Sequence, residues 1–155
     1  MAGLPHPLPH RYAARASGTT SGSVGVVADG LPAIETQPPP EFGGPEGYWS
    51  PETLLLASVA DCFILSFRAV ARASRLEWLD LDVDVQAVLD RVDGVTRFTA
   101  FTIAPRLGIP PTTQESIALA VLDKAKRACL VTNSLTAKCE LTPLLYSVTE
   151  ASEAD

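Results

Sequence analysis

From Leu79 to Leu89 the chain alternates without a break. Leu79, Leu81, Val83, Val85, Ala87 and Leu89 fall on one face, with mostly acidic and polar residues on the other. A period of two predicts a half-exposed antiparallel strand. VDGV at 92–95 supplies a hairpin turn, and Thr96 to Arg106 returns as the partner strand. Upstream, the run SPETLLLASVADCF changes the pattern. Ser50 suits an N-cap, Pro51 the first helical position and Glu52 the positive helix end. The helix is predicted to reach Ser74, ~24 residues or roughly 36 Å. From Leu54 to Phe67 it is apolar nearly all round, which places it in a core or at a subunit interface. Thr112-x-x-Glu115 reads as a capping box opening a second helix to about Ala128. Its stripe of Ile117, Ala118, Val121, Leu122 and Ala125 projects on to Cys129. A last strand is predicted from about Thr136 to Leu145.

The N-terminal part is punctuated differently. YAARAS, SVGVVA and LPAIET are short β-capable pieces separated by SGTTSG and ADG turns, a small antiparallel meander. QPPPEFGGPEGYW, Gln37 to Trp49, is too rich in Pro and Gly for regular structure and predicts a long loop, of the kind that lines sites. Residues 1–10 read as a disordered tail, 11–148 as a single domain and 149–155 as an acidic tail. The order is meander, long central helix, β-hairpin, second helix and final strand, which is an α+β fold.

Composition narrows the partners. The 155 residues are 46% hydrophobic and 19% charged, with net charge −6 and a pI near 4.8. Such a chain builds a core, and without a basic patch it is expected to bind neither nucleic acid nor anionic membrane. The longest apolar run, Leu54 to Ala60, is short of the roughly 20 residues that span a bilayer. MAGLPHPLPHRY lacks the charged and apolar regions of a signal peptide, so a reducing cytoplasmic location is expected.

In that compartment Cys62, Cys129 and Cys139 do not form a structural disulfide framework. They make no C-x-x-C pair, and both histidines lie in the Pro-rich tail, so no metal site is expected and no cofactor. Cys62 and Cys129 each fall on the apolar face of a core helix. Either they fill space, as buried cysteines often do, or the helices pack side by side and the thiols meet. Meeting thiols suit peroxide reduction. A thiolate attacks the peroxide and becomes a sulfenic acid, and a second cysteine condenses with it to a disulfide. An ordinary thiol is only a few per cent ionised at pH 7, and Cys62 lies three turns inside its helix, so a cation must come to it from elsewhere.

PEFGGPEGYWSPETLLLASVADCF, followed by a helix ending in KRACLVTNSL, resembles the OsmC/Ohr family of cysteine-based hydroperoxide reductases from about Tyr12 to Leu144. The resemblance implies an intertwined homodimer with two active sites at the subunit interface, acting on organic hydroperoxides and recharged by a dithiol reductant. It implies that Cys62 is the peroxidatic thiol and Cys129 the resolving one, and that Glu52 holds an arginine against the thiolate. Glu52 lies ten positions before Cys62, about 15 Å along a straight helix, so it would act from a partner subunit or through a bridging arginine. The family's arginine sits in the Gly-rich turn. Here SGTTSG has none, and Arg15 is the nearest substitute. Leu130 stands where many relatives have proline. Phe42, Trp49, Phe63 and Phe67 are candidates for an apolar substrate pocket, and Cys139 is read as filler. The alternative is a non-catalytic dimeric binding or redox-sensing protein of the same fold.

Overall fold

The computed structural model describes residues 5–147. The acidic tail 149–155 and the first four residues of the expected N-terminal tail lie outside the described residues. The chain forms two compact units, Met1–Leu55 and Leu56–Asp155.

In the first unit, β1 (Arg15–Ser17), β2 (Val24–Val27) and β3 (Ile34–Thr36) form the expected antiparallel meander in that order. Gly30 takes φ 72° in the turn closed by the Leu31 N–H on the Ala28 carbonyl, a backbone angle glycine adopts freely. The sheet carries little core of its own. Val24, Val27 and Ile34 are all exposed, and three such short strands do not bury enough apolar surface to be stable alone. The loop from Gln37 is ordered. Its ends are tied by the Gln37 N–H on the Trp49 carbonyl at 3.0 Å, and Pro40–Phe42 makes one 3-10 turn closed by left-handed Gly43. Gly44 then passes against the Pro38 carbonyl so closely that a Cβ there would overlap backbone.

The helix α1 (Pro51–Ser74) has the predicted bounds. Ser50 caps it as expected, with its Oγ accepting the Thr53 N–H at 3.2 Å, and Thr53 Oγ1 accepts the Ser50 N–H at 2.9 Å. This reciprocal capping box is built with Thr where Glu is commoner.

In the second unit, α1 buries a single stripe, Val59, Phe63, Phe67 and Ala71, at the four-residue spacing of one helix face. Phe67 meets Trp78 edge-on at 5.1 Å. By length and composition α1 could cross a membrane, which the longest-run argument missed. Asp61 and Arg68 interrupt the apolar run without making the helix polar. The core helix of a soluble protein meets the same criterion, and α1 buries one stripe while most of its apolar window stays uncovered.

The predicted hairpin is present. β4 (Asp80–Val92) and β5 (Val95–Ile109) join through Asp93 (φ 51°) and Gly94 (φ 79°), the two left-handed residues of a type I′ turn. Leu81, Val83, Val85 and Ala87 alternate inward as expected. A bulge opposite Val88/Leu89 breaks the phase, and Leu89 is left 38% exposed. On β5, Phe101, Ile103, Leu107 and Ile109 are buried on the core face.

Three expectations need correction. The helix α2 (Glu115–Ala128) begins two residues late for the Thr112 capping box, since Gln114 occupies the cap position without a side-chain bond. The neighbouring Thr113 hydroxyl donates instead to the Glu77 carbonyl at 2.9 Å, so the local chemistry is spent on tying the loop down. The buried stripe of α2 is Ala118, Val121, Leu122 and Ala125, whereas Ile117 is 46% exposed at its margin. A short helix α3 (Leu130–Asn133) follows, and the single last strand is two: β6 (Lys138–Leu141) and β7 (Leu144–Ser147), both parallel to β5. Pro143, which has no N–H to donate, separates them.

The close approach at Gly44 yields a test. Gly44→Ala is expected to cost at least about 2 kcal/mol by overpacking against rigid backbone. Tm should fall by roughly 4–8 °C for a chain of this size. An unchanged melting curve would show that the Pro38 segment yields easily.

Candidate active site

Cys62 sits in the middle of α1 beside the buried stripe and is half-buried. One turn on, Ser66 Oγ lies 3.9 Å from its sulfur. Cys129 is the hinge residue between α2 and α3, one turn beyond Ala125 and fully buried. Its extended backbone (φ −69°, ψ 104°) ends one helix and caps the next. The Cys129 carbonyl accepts the Thr132 hydroxyl at 3.1 Å and the Asn133 N–H at 3.0 Å, so the thiol's position is held by α3. Leu130 occupies the first position of α3 and is 70% exposed. Proline suits that position because its missing N–H would be unpaired there anyway, so leucine replaces it without altering the turn.

The two thiols are close enough for one to perturb the other. Burial pushes the Cys129 thiol up from its ordinary value, the Thr132 hydroxyl and N–H pull it partly back, and the adjoining Cys62 thiol pushes it up again. All three cysteines are free. At neutral pH Cys129 is therefore a protonated, sealed thiol, whereas Cys62 is half-buried. Ser66 and Thr132 were not singled out from sequence, although their spacings of four and three residues from the cysteines place them on the same helical faces.

The remaining candidates are placed as follows. Glu52, in the first turn of α1, has a buried Oε2 that accepts no hydrogen bond among the described residues. Its charge complements the helix end, which is weak compensation for a desolvated oxygen. Arg15 is exposed on β1, in register with Val27, and forms no ion pair among the described residues. Arg15 and Glu52 belong to the first unit, Cys62 and Cys129 to the second. Phe63 and Phe67 are sealed in the core, while Phe42 and Trp49 are 59% and 50% exposed. Among the described residues no three His, Cys, Asp or Glu side chains cluster as metal ligands would.

Comparison with known families settles the lineage. The model of the OsmC-like protein family matches residues 43–143, a span that includes the end of the loop, α1, the hairpin, α2 and all three cysteines. The chain belongs to the OsmC-like family. Among solved OsmC-like structures, one from Vibrio cholerae, of unknown function, superposes with a TM-score of 0.80 at 16% identity, covering 88% of this chain and 100% of the other. An organic hydroperoxide resistance protein OsmC from Legionella pneumophila gives a TM-score of 0.70 at 25% identity, covering 92% and 100%. The uncharacterised YmaD of Bacillus subtilis is 26% identical over 121 residues, 76% of this chain and 81% of YmaD. The α+β fold of this family is the one observed here.

The orphaned oxygen of Glu52 makes a prediction that runs against ordinary surface chemistry. Glu52→Gln keeps the shape and removes the formal charge, so Tm of the isolated chain is expected to hold or rise. A clear drop in Tm would show that the carboxylate is already well compensated.

Proposed function

We propose that this OsmC-like protein is a thiol-dependent peroxidase that reduces organic hydroperoxides. The reading is supported by two free thiols on different helices, a half-buried Cys62 and a buried Cys129 whose ionisation Cys62 opposes. In the proposed cycle the Cys62 thiolate attacks the terminal oxygen of the hydroperoxide. The O–O bond breaks, the alkoxide leaves and takes up a proton as the alcohol, and Cys62 becomes a sulfenic acid. Cys129 then attacks the Cys62 sulfur. Its proton and the departing hydroxide form water, and the two sulfurs are joined. An external dithiol restores both by two successive exchanges and is itself oxidised to a disulfide. The similarity to a Legionella organic hydroperoxide resistance protein supports the choice of an organic peroxide.

The reading includes a homodimer in a reducing, cytoplasmic setting. Leu65 on α1 is 53% exposed, and the meander leaves Val24, Val27 and Ile34 uncovered, apolar positions that a second copy would cover. A second reading, a redox-sensing protein that oxidises once without cycling, is favoured by the lack of arginine in the SGTTSG turn.

The two readings separate in one assay. With cumene hydroperoxide and dithiothreitol, the wild-type chain should turn over continuously and Cys62→Ser should lose more than about 99% of activity, the loss expected of a nucleophile. Cys129→Ser should stop after a single turnover. Stoichiometric oxidation of the wild type without cycling would favour the sensor.

A pH profile follows from the raised Cys129 pKa. Attack on the sulfenic acid needs the Cys129 thiolate, whose fraction grows roughly tenfold per pH unit below the pKa. Disulfide closure, followed by stopped flow after peroxide addition, should therefore accelerate steadily from neutral to alkaline pH, up to beyond the ordinary thiol range. Closure independent of pH would mean that Cys129 is deprotonated by some other route.

A further inference from the structure

The Leu54–Phe67 stretch of α1 is apolar nearly all round, and Ser66 is one of the few polar side chains in it. A serine in mid-helix ordinarily points its hydroxyl into solvent or donates it back to the carbonyl four residues earlier. Ser134 takes the second course, on the Leu130 carbonyl at 2.8 Å. Thr132 does much the same on the Cys129 carbonyl. Ser66 does neither. It is half-buried, and among the described residues its hydroxyl makes no bond to the Cys62 carbonyl. Its hydrogen-bond partner is the Cys62 sulfur, 3.9 Å away.

Either atom can donate across that contact while Cys62 is a thiol. A thiol is a weak donor and a neutral sulfur a weak acceptor, which accounts for the length of the contact. A thiolate has no proton to give, so only the serine can donate to it. Bonds to an ion are shorter and roughly twice as strong as neutral ones, so the contact favours the charged form. Cys62 and Ser66 are four residues apart on one helix, and that spacing alone keeps them together.

We propose that Ser66 is a positioning residue for Cys62, its hydroxyl donating to the thiolate and holding that sulfur for attack in a chain whose SGTTSG turn carries no arginine. The inference rests on the peroxidase reading only for the reaction that the thiolate performs. The thiol proton goes to solvent, and Ser66 keeps its own. When the sulfur's electron pair attacks the peroxide, the charge passes to the departing alkoxide and the bond weakens to that of a neutral pair.

Such a donor brings a loss as well as a gain. A hydrogen bond to an ion raises the ionised fraction on the order of tenfold. It also makes each thiolate less basic, and thiol nucleophilicity follows basicity with a slope of roughly 0.4–0.5. About tenfold more thiolate, each about threefold less reactive, leaves a net gain of about threefold where the thiol is mostly protonated. Where it is fully ionised, only the loss remains.

The test follows the reaction of the full chain with dithiodipyridine across pH, reading the phase that Cys62→Ser removes. Ser66→Ala should react about threefold more slowly than the wild type near neutral pH and about threefold faster on the alkaline plateau, so that the two profiles cross. Alanine is the better helix former, so the variant should fold. Ser66→Thr, which keeps the hydroxyl, should follow the wild-type profile. Profiles of Ser66→Ala and the wild type that coincide, or that differ by one constant factor at every pH, would overturn the proposal, since a purely structural serine gives no crossing. The probe is a disulfide and needs no peroxide. Crossing profiles in a chain that never turns over cumene hydroperoxide would refute the peroxidase reading and leave the role of Ser66 standing.

Discussion

Burial of one face of β5 is the constraint on which the second unit depends. Phe101, Ile103, Leu107 and Ile109 point the same way and are inaccessible, so each must be covered along its whole length. Only the apolar stripes of α1 and α2 offer matching surface of that size. The backbone groups of β5 are paired by β4 along one edge and, over Ala100–Ile103 and Arg106–Ile109, by β6 and β7 along the other. The three cysteines inherit their positions from this arrangement. Cys62 lies beside the α1 stripe, Cys129 continues the α2 stripe, and Cys139 sits on the strand that closes the β5 edge.

The same logic explains what could be read from the chain alone. A strictly alternating strand, an Asp-Gly turn and a Ser-Pro-Glu helix start are local signals, and each survives in the structure because local propensity and tertiary packing agree. The failures are non-local. Thr112 has the chemistry of a cap, but Thr113 is recruited by a carbonyl 36 residues away and the helix starts later. The split between β6 and β7 was marked by Pro143, yet the strands' parallel pairing to β5 depends on chain path and carries no local signature. Leu89 follows its alternation in sequence and not in space, because a bulge in the facing strand shifts the phase.

The site was legible to a similar degree. Stripe periodicity placed Cys62 and Cys129 on apolar faces, and the resemblance paired them. Cys139 was read as filler, and its register with Phe101 places it on the core-facing side of β6. Phe63 and Phe67 looked equally suitable for a pocket or a core. Their place in the four-residue stripe with Val59 and Ala71 explains why both are fully buried.

In the proposed cycle, the buried, protonated state of Cys129 looks at first like a defect in a nucleophile. Each unit by which burial raises a thiol pKa removes about nine-tenths of the remaining thiolate at neutral pH. Proximity works in the other direction. Well-oriented groups held in contact react as though at effective concentrations on the order of 10⁵–10⁸ M, which outweighs a loss of several powers of ten in ionisation. A thiol that is sealed and protonated is unreactive toward dilute peroxide in solution and reactive toward the one sulfur beside it. On the proposed reading, burial protects Cys129 from direct over-oxidation while the nearness of Cys62 preserves its attack on the sulfenic acid. The same reasoning separates the two exposures at the site: Cys62 must be open enough to meet a hydroperoxide, and Cys129 must not be. A substitution that exposed Cys129 without moving it would raise its thiolate fraction and, with it, its loss to sulfinic acid.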